Sequence, residues 1–143
     1  EVLCFPTIIG SEPHSADMDT AGHWQRTMQG HAAANMVPVV AANRVGTETG
    51  IGNGNAQQQA LTGTFYGSSF IADHTGAKVQ EANRSDESVL LQRFDLDAIR
   101  RERQCFGFFR DRRPEMYHRL LTSDGHLTRP DLSRPSQPGL PTL

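Results

Sequence analysis

The apolar run at residues 2–7, Val-Leu-Cys-Phe-Pro-Thr, constrains the fold more than any other feature. A run without polar alternation is typical of a strand buried inside a parallel or mixed sheet, with neighbours on both sides. The run begins almost at residue 1, in mid-strand, with no methionine or turn before it. We therefore expect a sheet, and we expect the chain to be a piece of a longer protein that supplies the missing neighbour.

A helix is predicted next, over residues 21–36, and either Asp19 or Thr20 can cap it. Its larger apolar side chains recur at every fourth position and so form one stripe, which favours packing against a core over a binding face. The stripe consists of Trp24, Met28, Ala32 and Met36.

Four further apolar or alternating runs predict strands, and a second helix is predicted from Asp97. The predicted strands cover residues 37–46, 63–73, 76–83 and 88–96. Because strands and helices share one chain in this order, the fold class is α/β, with α+β as the alternative. The chain has the length of one domain, which we place at residues 1–125, followed by a proline-rich tail at 126–143.

Charge argues against a nucleic-acid partner, although the segment Val89–Leu121 contains eight arginines. Five acidic residues in the same segment leave an excess of only three, and the whole chain has 14 Lys+Arg against 16 Asp+Glu. A phosphate-binding surface needs concentrated positive charge. We interpret the arginines as the solvated or subunit-facing side of the second helix.

The sequence also contains no membrane or disulfide signal. No apolar run approaches the ~20 residues that a transmembrane helix needs, and residues 1–20 do not resemble a secretory signal. Cys4 and Cys105 form no CxxC pair, which suits a reducing compartment. We expect a cytoplasmic protein that does not bind membranes.

Two patterns resemble cofactor sites without meeting their requirements. The Gly-x-Gly-x-Gly at residues 50–54 precedes a strand, whereas a dinucleotide-binding loop opens a helix. Five possible metal ligands lie close together, but none forms the i, i+4 histidine pair of a helical zinc site, and acids before a helix commonly cap it. These residues are Glu12, His14, Asp17, Asp19 and His23. We expect neither a cofactor nor a metal.

The candidate nucleophiles lack a catalytic setting. Cys4 falls inside an apolar strand, Cys105 falls inside a helix, and Lys78 falls in a predicted turn where solvation is expected. A reactive thiol needs exposure beside a base or a cation. Residue chemistry alone therefore indicates no complete active site in this chain.

Four sequence blocks in order resemble the C-terminal half of the nitrilase superfamily, and within it the amidases that act on N-carbamoylputrescine. These blocks are FPTIIGSEP, HWQRTMQGHAAANMVPVVAANRVG, FYGSSFIAD and FGFFRDRRPEMY, which lie between residues 5 and 117. The resemblance implies a four-layer αββα sandwich and a Glu-Lys-Cys triad in which the cysteine attacks an amide-type carbon. His74 departs from the family pattern, which has proline there.

The resemblance also implies which part of the site this chain supplies. The family's triad would precede residue 1, so the 143-residue chain alone is expected to be inactive, and Cys4 is not the nucleophile. Glu12, in the block IGSEP, matches the glutamate that receives the substrate's terminal ammonium, and a carboxylate suits that cation. Glu12 is therefore the predicted substrate-binding residue.

We predict that this chain is part of an amidohydrolase. The whole protein is expected to convert N-carbamoylputrescine to putrescine, carbon dioxide and ammonia. The expected partners are this small molecule and, for the whole protein, further copies of itself. Two alternatives remain open. One is another superfamily amidase, such as a β-ureidopropionase-like enzyme, whose acidic substrate would need a cation where Glu12 stands. The other is a non-catalytic module that assembles with complete subunits.

Overall fold

The computed structural model of the chain describes residues 1–11, 17–50 and 62–121, without the side chain of Arg119. The chain divides into two units, Glu1–Arg110 and Asp111–Leu143. In the second unit the described element is a 3-10 helix, Pro114–Leu121. The first unit contains, in chain order, β1 Leu3–Thr7, α1 Ala21–Asn35, β2 Val39–Asn43, β3 Val45–Thr49, β4 Thr62–Tyr66, β5 Phe70–Ala72, β6 Lys78–Glu81 and α2 Leu96–Phe106.

A mixed four-stranded sheet organises the first unit, with strand order β1-β2-β5-β6. β1 and β2 are parallel, and α1 makes the crossover between them, as a parallel pair requires. β5 and β6 then add in antiparallel orientation. The α/β class and the mixed sheet predicted from the sequence are both found.

The core lies between α1 and one face of this sheet. Trp24 and Ala32 of α1 are buried there, and the ring of Trp24 meets that of Phe70 edge-on at a centroid distance of 5.6 Å. Full burial of a side chain such as Phe70 stabilises the fold by about 1.5–3 kcal/mol. The predicted stripe of α1 is confirmed, since Met36 is also buried and Met28 packs against the core.

The expectation that β1 is buried on both faces is wrong for the described chain. Leu3 and Phe5 pack toward the core, whereas Cys4 and Pro6 point to the opposite face and are exposed. The register places Cys4 beside Val40 on that opposite face. The described residues thus cover only one face of β1.

Two predicted strands are each split in two by backbone turns. Residues 37–46 change direction at Arg44, between β2 and β3. Residues 63–73 break at Gly67 and Ser68, whose φ angles are +52° and +55°. A Cβ on Gly67 would lie 2.7 Å from Val45 Cγ1, so the turn requires glycine. The breaks allow β3 and β4 to pair as a separate two-stranded sheet.

The predicted strand at residues 88–96 is not found, and this expectation is corrected. Its residues up to Asp95 belong to no helix or strand, and Val89 and Leu91 are 94% and 87% exposed. The pattern of a strand is present, but no described strand lies beside it to complete the backbone hydrogen bonds. α2 begins at Leu96, where the carboxylate of Asp95 accepts a hydrogen bond from the Ala98 N–H at 2.9 Å.

α2 is held to the rest of its unit by polar contacts around the buried Ile99. The guanidinium of Arg103 donates twice to the Met36 carbonyl, at 2.8 and 3.0 Å, and so satisfies the C-terminal end of α1. Nε2 of His74 lies 2.6 Å from a carboxylate oxygen of Glu102. Within the described chain, no helix is long and apolar enough to span a membrane.

Candidate functional site

The segment that leads to the predicted substrate-binding loop is fixed by Asn43, at the end of β2. Its Oδ1 accepts from the Ile9 N–H at 2.9 Å and from the Thr7 hydroxyl at 3.1 Å. Its Nδ2 donates to the carbonyls of Ile9 and Gly67, both at 2.9 Å. The Asn43 side chain therefore fixes the N–H and the carbonyl of Ile9 as well as the turn that follows β4.

The next two residues lie against β4. Gly10 forms an antiparallel bridge with Phe65, and the Ser11 N–H donates to the Thr64 carbonyl at 2.8 Å. A Cβ at Gly10 would lie 2.2 Å from the Thr64 carbonyl oxygen, which no side chain can tolerate. The backbone is thus held in place up to Ser11, the residue before Glu12.

A cavity of about 310 Å³ opens beside this segment. It has acidic, aromatic and hydroxyl groups in its wall, a combination that suits a small polar or cationic ligand. The described residues of its lining are Ser11, Asp17, Met18, Asp19, Thr64, Phe65, Tyr66 and Arg84.

Arg84 is the one cation among the described lining residues, and its charge is already engaged. Its guanidinium lies 2.7 Å from the Asp19 carboxylate and 5.8 Å from the centre of the Tyr66 ring. This hydrogen bond from Arg84, together with one from the Ala21 N–H, holds the pKa of Asp19 below its ordinary value. Asp17 adds a second carboxyl group, so the described lining residues carry one excess negative charge.

Asp19 also contributes to the start of α1, for which the sequence predicts either Asp19 or Thr20 as the capping residue. Thr20 occupies the N-cap position, but its hydroxyl makes no capping bond and lies 3.2 Å from the Tyr66 hydroxyl. The Asp19 carboxylate instead accepts from the Ala21 N–H at 3.1 Å. Both residues thereby connect the helix start to the cavity wall.

Glu12, the predicted substrate-binding residue, lies outside the described residues, as does His14. The assignment of Glu12 stays a prediction. Among the residues that the structure does describe, no three His, Cys, Asp or Glu side chains come close enough to hold a metal ion. The glycines at residues 52 and 54 also lie outside the described chain, in a connection between the paired strands β3 and β4.

The candidate nucleophiles stand apart from the cavity lining. Cys4 on β1 and Cys105 in the last turn of α2 are both free and exposed, although Cys4 was expected inside the sheet. Neither thiol is among the residues around the cavity.

Lys78 is not simply solvated, as the sequence analysis expected. It opens β6, and its ammonium lies 2.9 Å from Gln25 Oε1 and 2.7 Å from the Glu81 carboxylate. Gln25, which is buried, donates in turn to Glu81 and to the Ser68 carbonyl. The network ties α1 to β6 and to the turn before β5.

Asn43 and Gln25 are the residues that sequence reasoning missed. Each is a polar residue in an apolar context, at the end of β2 and within the core-facing part of α1. Polar side chains in buried or half-buried positions are normally hydrogen-bonded, so the apolar context alone could have marked both as network centres.

Comparison with known proteins identifies the family. Residues 1–104 match the carbon-nitrogen hydrolase family. The chain belongs to the carbon-nitrogen hydrolase family. The crystal structure of a carbon-nitrogen hydrolase from Helicobacter pylori superposes with a TM-score of 0.72 at 32% identity, covering 85% of this chain and 41% of that one. The nitrilase-type α/β fold expected from the sequence is thereby confirmed.

Two curated relatives of this carbon-nitrogen hydrolase chain share about half of its matched residues. An N-carbamoylputrescine amidase from Arabidopsis thaliana is 53% identical over 127 residues, which is 89% of this chain and 41% of the relative. A citrullinase from Francisella tularensis is 51% identical over 121 residues, or 85% of this chain and 40% of the relative. The chain spans about two fifths of the length of these relatives.

Proposed function

We propose that this chain is the part of an amidohydrolase that receives the amine end of N-carbamoylputrescine. In the whole protein, water would cleave the carbamoyl group and release putrescine, carbon dioxide and ammonia. The match to the Arabidopsis N-carbamoylputrescine amidase over 89% of the chain is the observation that carries this proposal. The carbon-nitrogen hydrolase family supplies the reaction class.

The charge of the cavity supports a cationic substrate. Its described lining has two carboxyl groups against one guanidinium, which is paired with Asp19. Glu12 follows Ser11 directly and would add a third carboxylate. An alkylammonium gains charge-assisted hydrogen bonds from such groups, whereas an anionic ligand would be repelled. We assign the recognition of the ammonium to Glu12.

Citrulline hydrolysis is the second candidate, favoured by the 51% identity to the Francisella citrullinase. Citrulline carries the same carbamoyl amine on a chain of similar length, but its far end has a carboxylate beside the ammonium. A free cation in the cavity wall would stabilise that carboxylate. Since Arg84 is committed to Asp19, the cavity favours N-carbamoylputrescine over citrulline. The same reasoning disfavours a β-ureidopropionase-like substrate.

The proposal includes the domain division and setting expected from the sequence. Residues 1–125 would belong to the hydrolase domain, and residues 126–143 would form a proline-rich tail. The whole protein would work in the cytoplasm as a homo-oligomer, without a cofactor.

The catalytic triad is proposed to lie outside this chain. The 143-residue chain alone should therefore release no ammonia from N-carbamoylputrescine. Turnover that disappears in Cys4→Ser or Cys105→Ser would show that the chain carries its own nucleophile and would contradict this part of the proposal.

A fusion tests the proposed substrate. The part of the Arabidopsis amidase that precedes its matched region is joined to this chain, and ammonia release is measured with N-carbamoylputrescine, citrulline and N-carbamoyl-β-alanine. We expect kcat/KM to be at least about tenfold higher for N-carbamoylputrescine, which corresponds to one charge-assisted contact. A preference for citrulline would support the second candidate. A folded fusion without any turnover would favour a non-catalytic module.

A further inference from the structure

Arg84 stands on a well-defined turn at the wall of the cavity. The Ser68 N–H donates to the Asn83 carbonyl at 3.0 Å, and the Asn83 side chain accepts from the two N–H groups that follow Arg84, at 3.0 and 2.8 Å. The guanidinium lies 5.8 Å from the centre of the Tyr66 ring, a distance at which a cation and a ring attract each other. The backbone and the ring therefore keep this cation at the cavity wall even without Asp19.

Asp19 is held from the other side, by the start of α1. Its Oδ2 lies 2.7 Å from the Arg84 guanidinium, while its Oδ1 accepts from the Ala21 N–H at 3.1 Å. The hydrogen bond from Arg84 and the one from the Ala21 N–H lower the pKa of Asp19, so its carboxylate is charged at neutral pH. Each carboxylate oxygen thus has its own partner.

An arginine at a cavity wall is suited to bind a carboxylate, because its planar guanidinium presents several N–H donors in a fork. A substrate carboxylate that approached Arg84 would also approach the charged oxygen of Asp19, and like charges repel. N-carbamoylputrescine and citrulline differ by one carboxylate, on the carbon that carries the ammonium. This repulsion therefore acts on citrulline and not on N-carbamoylputrescine.

We propose that Asp19 determines substrate specificity through Arg84, which is a preformed receptor for the carboxylate of an α-amino acid that Asp19 keeps occupied. Removing the charge of Asp19 converts a site for a plain amine into one that also accepts citrulline. Asp19 acts through Arg84 and is a positioning residue. The inference rests on the proposed function, in that it takes this cavity as the site for the amine end of the substrate.

Neutralising the two carboxyl groups of the described lining one at a time tests this role. Asp19→Asn keeps an oxygen for the Ala21 N–H but gives up the ion pair with Arg84. Asp17→Asn is the matched control, because it removes the same charge from the same cavity and leaves that ion pair in place. Both variants repel an anion less, but only Asp19→Asn frees the guanidinium.

The readout is kcat/KM for citrulline divided by that for N-carbamoylputrescine, in the fusion that contains the triad. This ratio should rise about fivefold or more in Asp19→Asn and at most about twofold in Asp17→Asn. The expected gain is moderate because Asp19 and Arg84 are each 57% exposed, and a half-exposed ion pair contributes less than a buried one. An equal rise in the two variants would overturn the proposal.

The double variant Asp19→Asn/Arg84→Gln identifies the receptor. It lacks both charges of the pair, so the gain for citrulline should disappear and the ratio should return to within about twofold of the unmodified fusion. In Asp19→Asn alone the gain should appear as a lower KM for citrulline, because Arg84 would bind the end of the substrate far from the carbamoyl carbon. A purely structural effect would instead change both substrates alike. A gain that persists without Arg84 would overturn the proposal.

Binding to the 143-residue chain separates this inference from the proposed function, because binding needs no catalytic triad. NMR titration of the same variants measures dissociation constants, expected on the order of 1–10 mM, for both ligands. Citrulline should bind Asp19→Asn about fivefold more tightly than Asp17→Asn. Equal affinities, or no binding of citrulline by Asp19→Asn, would overturn the inference. A fusion that hydrolyses neither substrate, or prefers citrulline before any substitution, would contradict the proposed function, and the titration would still decide the role of Asp19.

Discussion

Asn43 holds Ile9 from both sides: its Oδ1 accepts from the Ile9 N–H and its Nδ2 donates to the Ile9 carbonyl, each at 2.9 Å. A side-chain amide can do this because its oxygen accepts and its NH2 group donates from the same planar group. The end of β2 therefore determines the path of the segment that runs through Ser11 to Glu12.

Replacing Asn43 with aspartate should destabilise the chain by about 2–4 kcal/mol. The carboxylate keeps the acceptor but loses both donated bonds, and it faces the Ile9 and Gly67 carbonyls with a negative charge. Urea denaturation at neutral pH measures the change. The matched control is Asn35→Asp, at an exposed site where Nδ2 bonds only the His31 carbonyl in the same helix. A cost there equal to that of Asn43→Asp would refute the specific role of Asn43.

Gly10→Ala should cost about 2 kcal/mol or more, because the added Cβ would lie 2.2 Å from the Thr64 carbonyl oxygen and must push Gly10 away from β4. Gly30→Ala is the control, since a Cβ there meets nothing within 4 Å and alanine favours the interior of α1. That variant should be neutral or up to about 1 kcal/mol more stable. Thermal unfolding compares both, and a tolerated Gly10→Ala would show that the segment is not held as described.

The sequence predicts the elements of the first unit well where one strong periodicity decides them. The four-residue repeat from Trp24 to Met36 gives α1 and its buried face, because that pattern needs no information about distant residues. The apolar runs likewise predict β1 and β2.

The rest depends on contacts between residues far apart in the chain. The break at Gly67 depends on Val45, which leaves no room for a side chain there. The sequence around Gly67 does not show this contact, so the break could not be predicted. Residues 88–96 have the sequence pattern of a strand, but they form no strand because no neighbouring strand is available to pair with them among the described residues. The cavity combines Ser11, Thr64 and Arg84, which only the fold brings together.

The contribution of Glu81 to stability should depend on pH. The hydrogen bond from Lys78 lowers the pKa of Glu81 below its ordinary value, outweighing the effect of burial, and Gln25 adds to this. The folded-state pKa is the lower one, so the contribution is complete above the unfolded-state pKa and is lost as the pH falls through the folded-state pKa.

The stability difference between the natural chain and Glu81→Gln should therefore shrink as the pH falls from about 6 to 3. Glu87→Gln, at an exposed carboxylate between β6 and α2 that forms no ion pair with another described residue, serves as the control for general acid effects. Urea unfolding at each pH gives the free energies, and a difference that does not vary with pH would rule out the ion pair as its source.

Glu12→Gln should change substrate choice without changing the chemistry in the fusion that contains the triad. The ammonium that Glu12 is proposed to bind lies at the far end of the substrate from the carbamoyl carbon. Losing one charge-assisted contact costs about 2–3 kcal/mol, so kcat/KM for N-carbamoylputrescine should fall roughly 30- to 150-fold. A neutral carbamoyl alkylamine of equal length makes no such contact and should be hydrolysed at an unchanged rate. Measuring both substrates on both proteins separates the cases, because an equal loss on the two would mean that Glu12 supports the fold rather than recognising the amine.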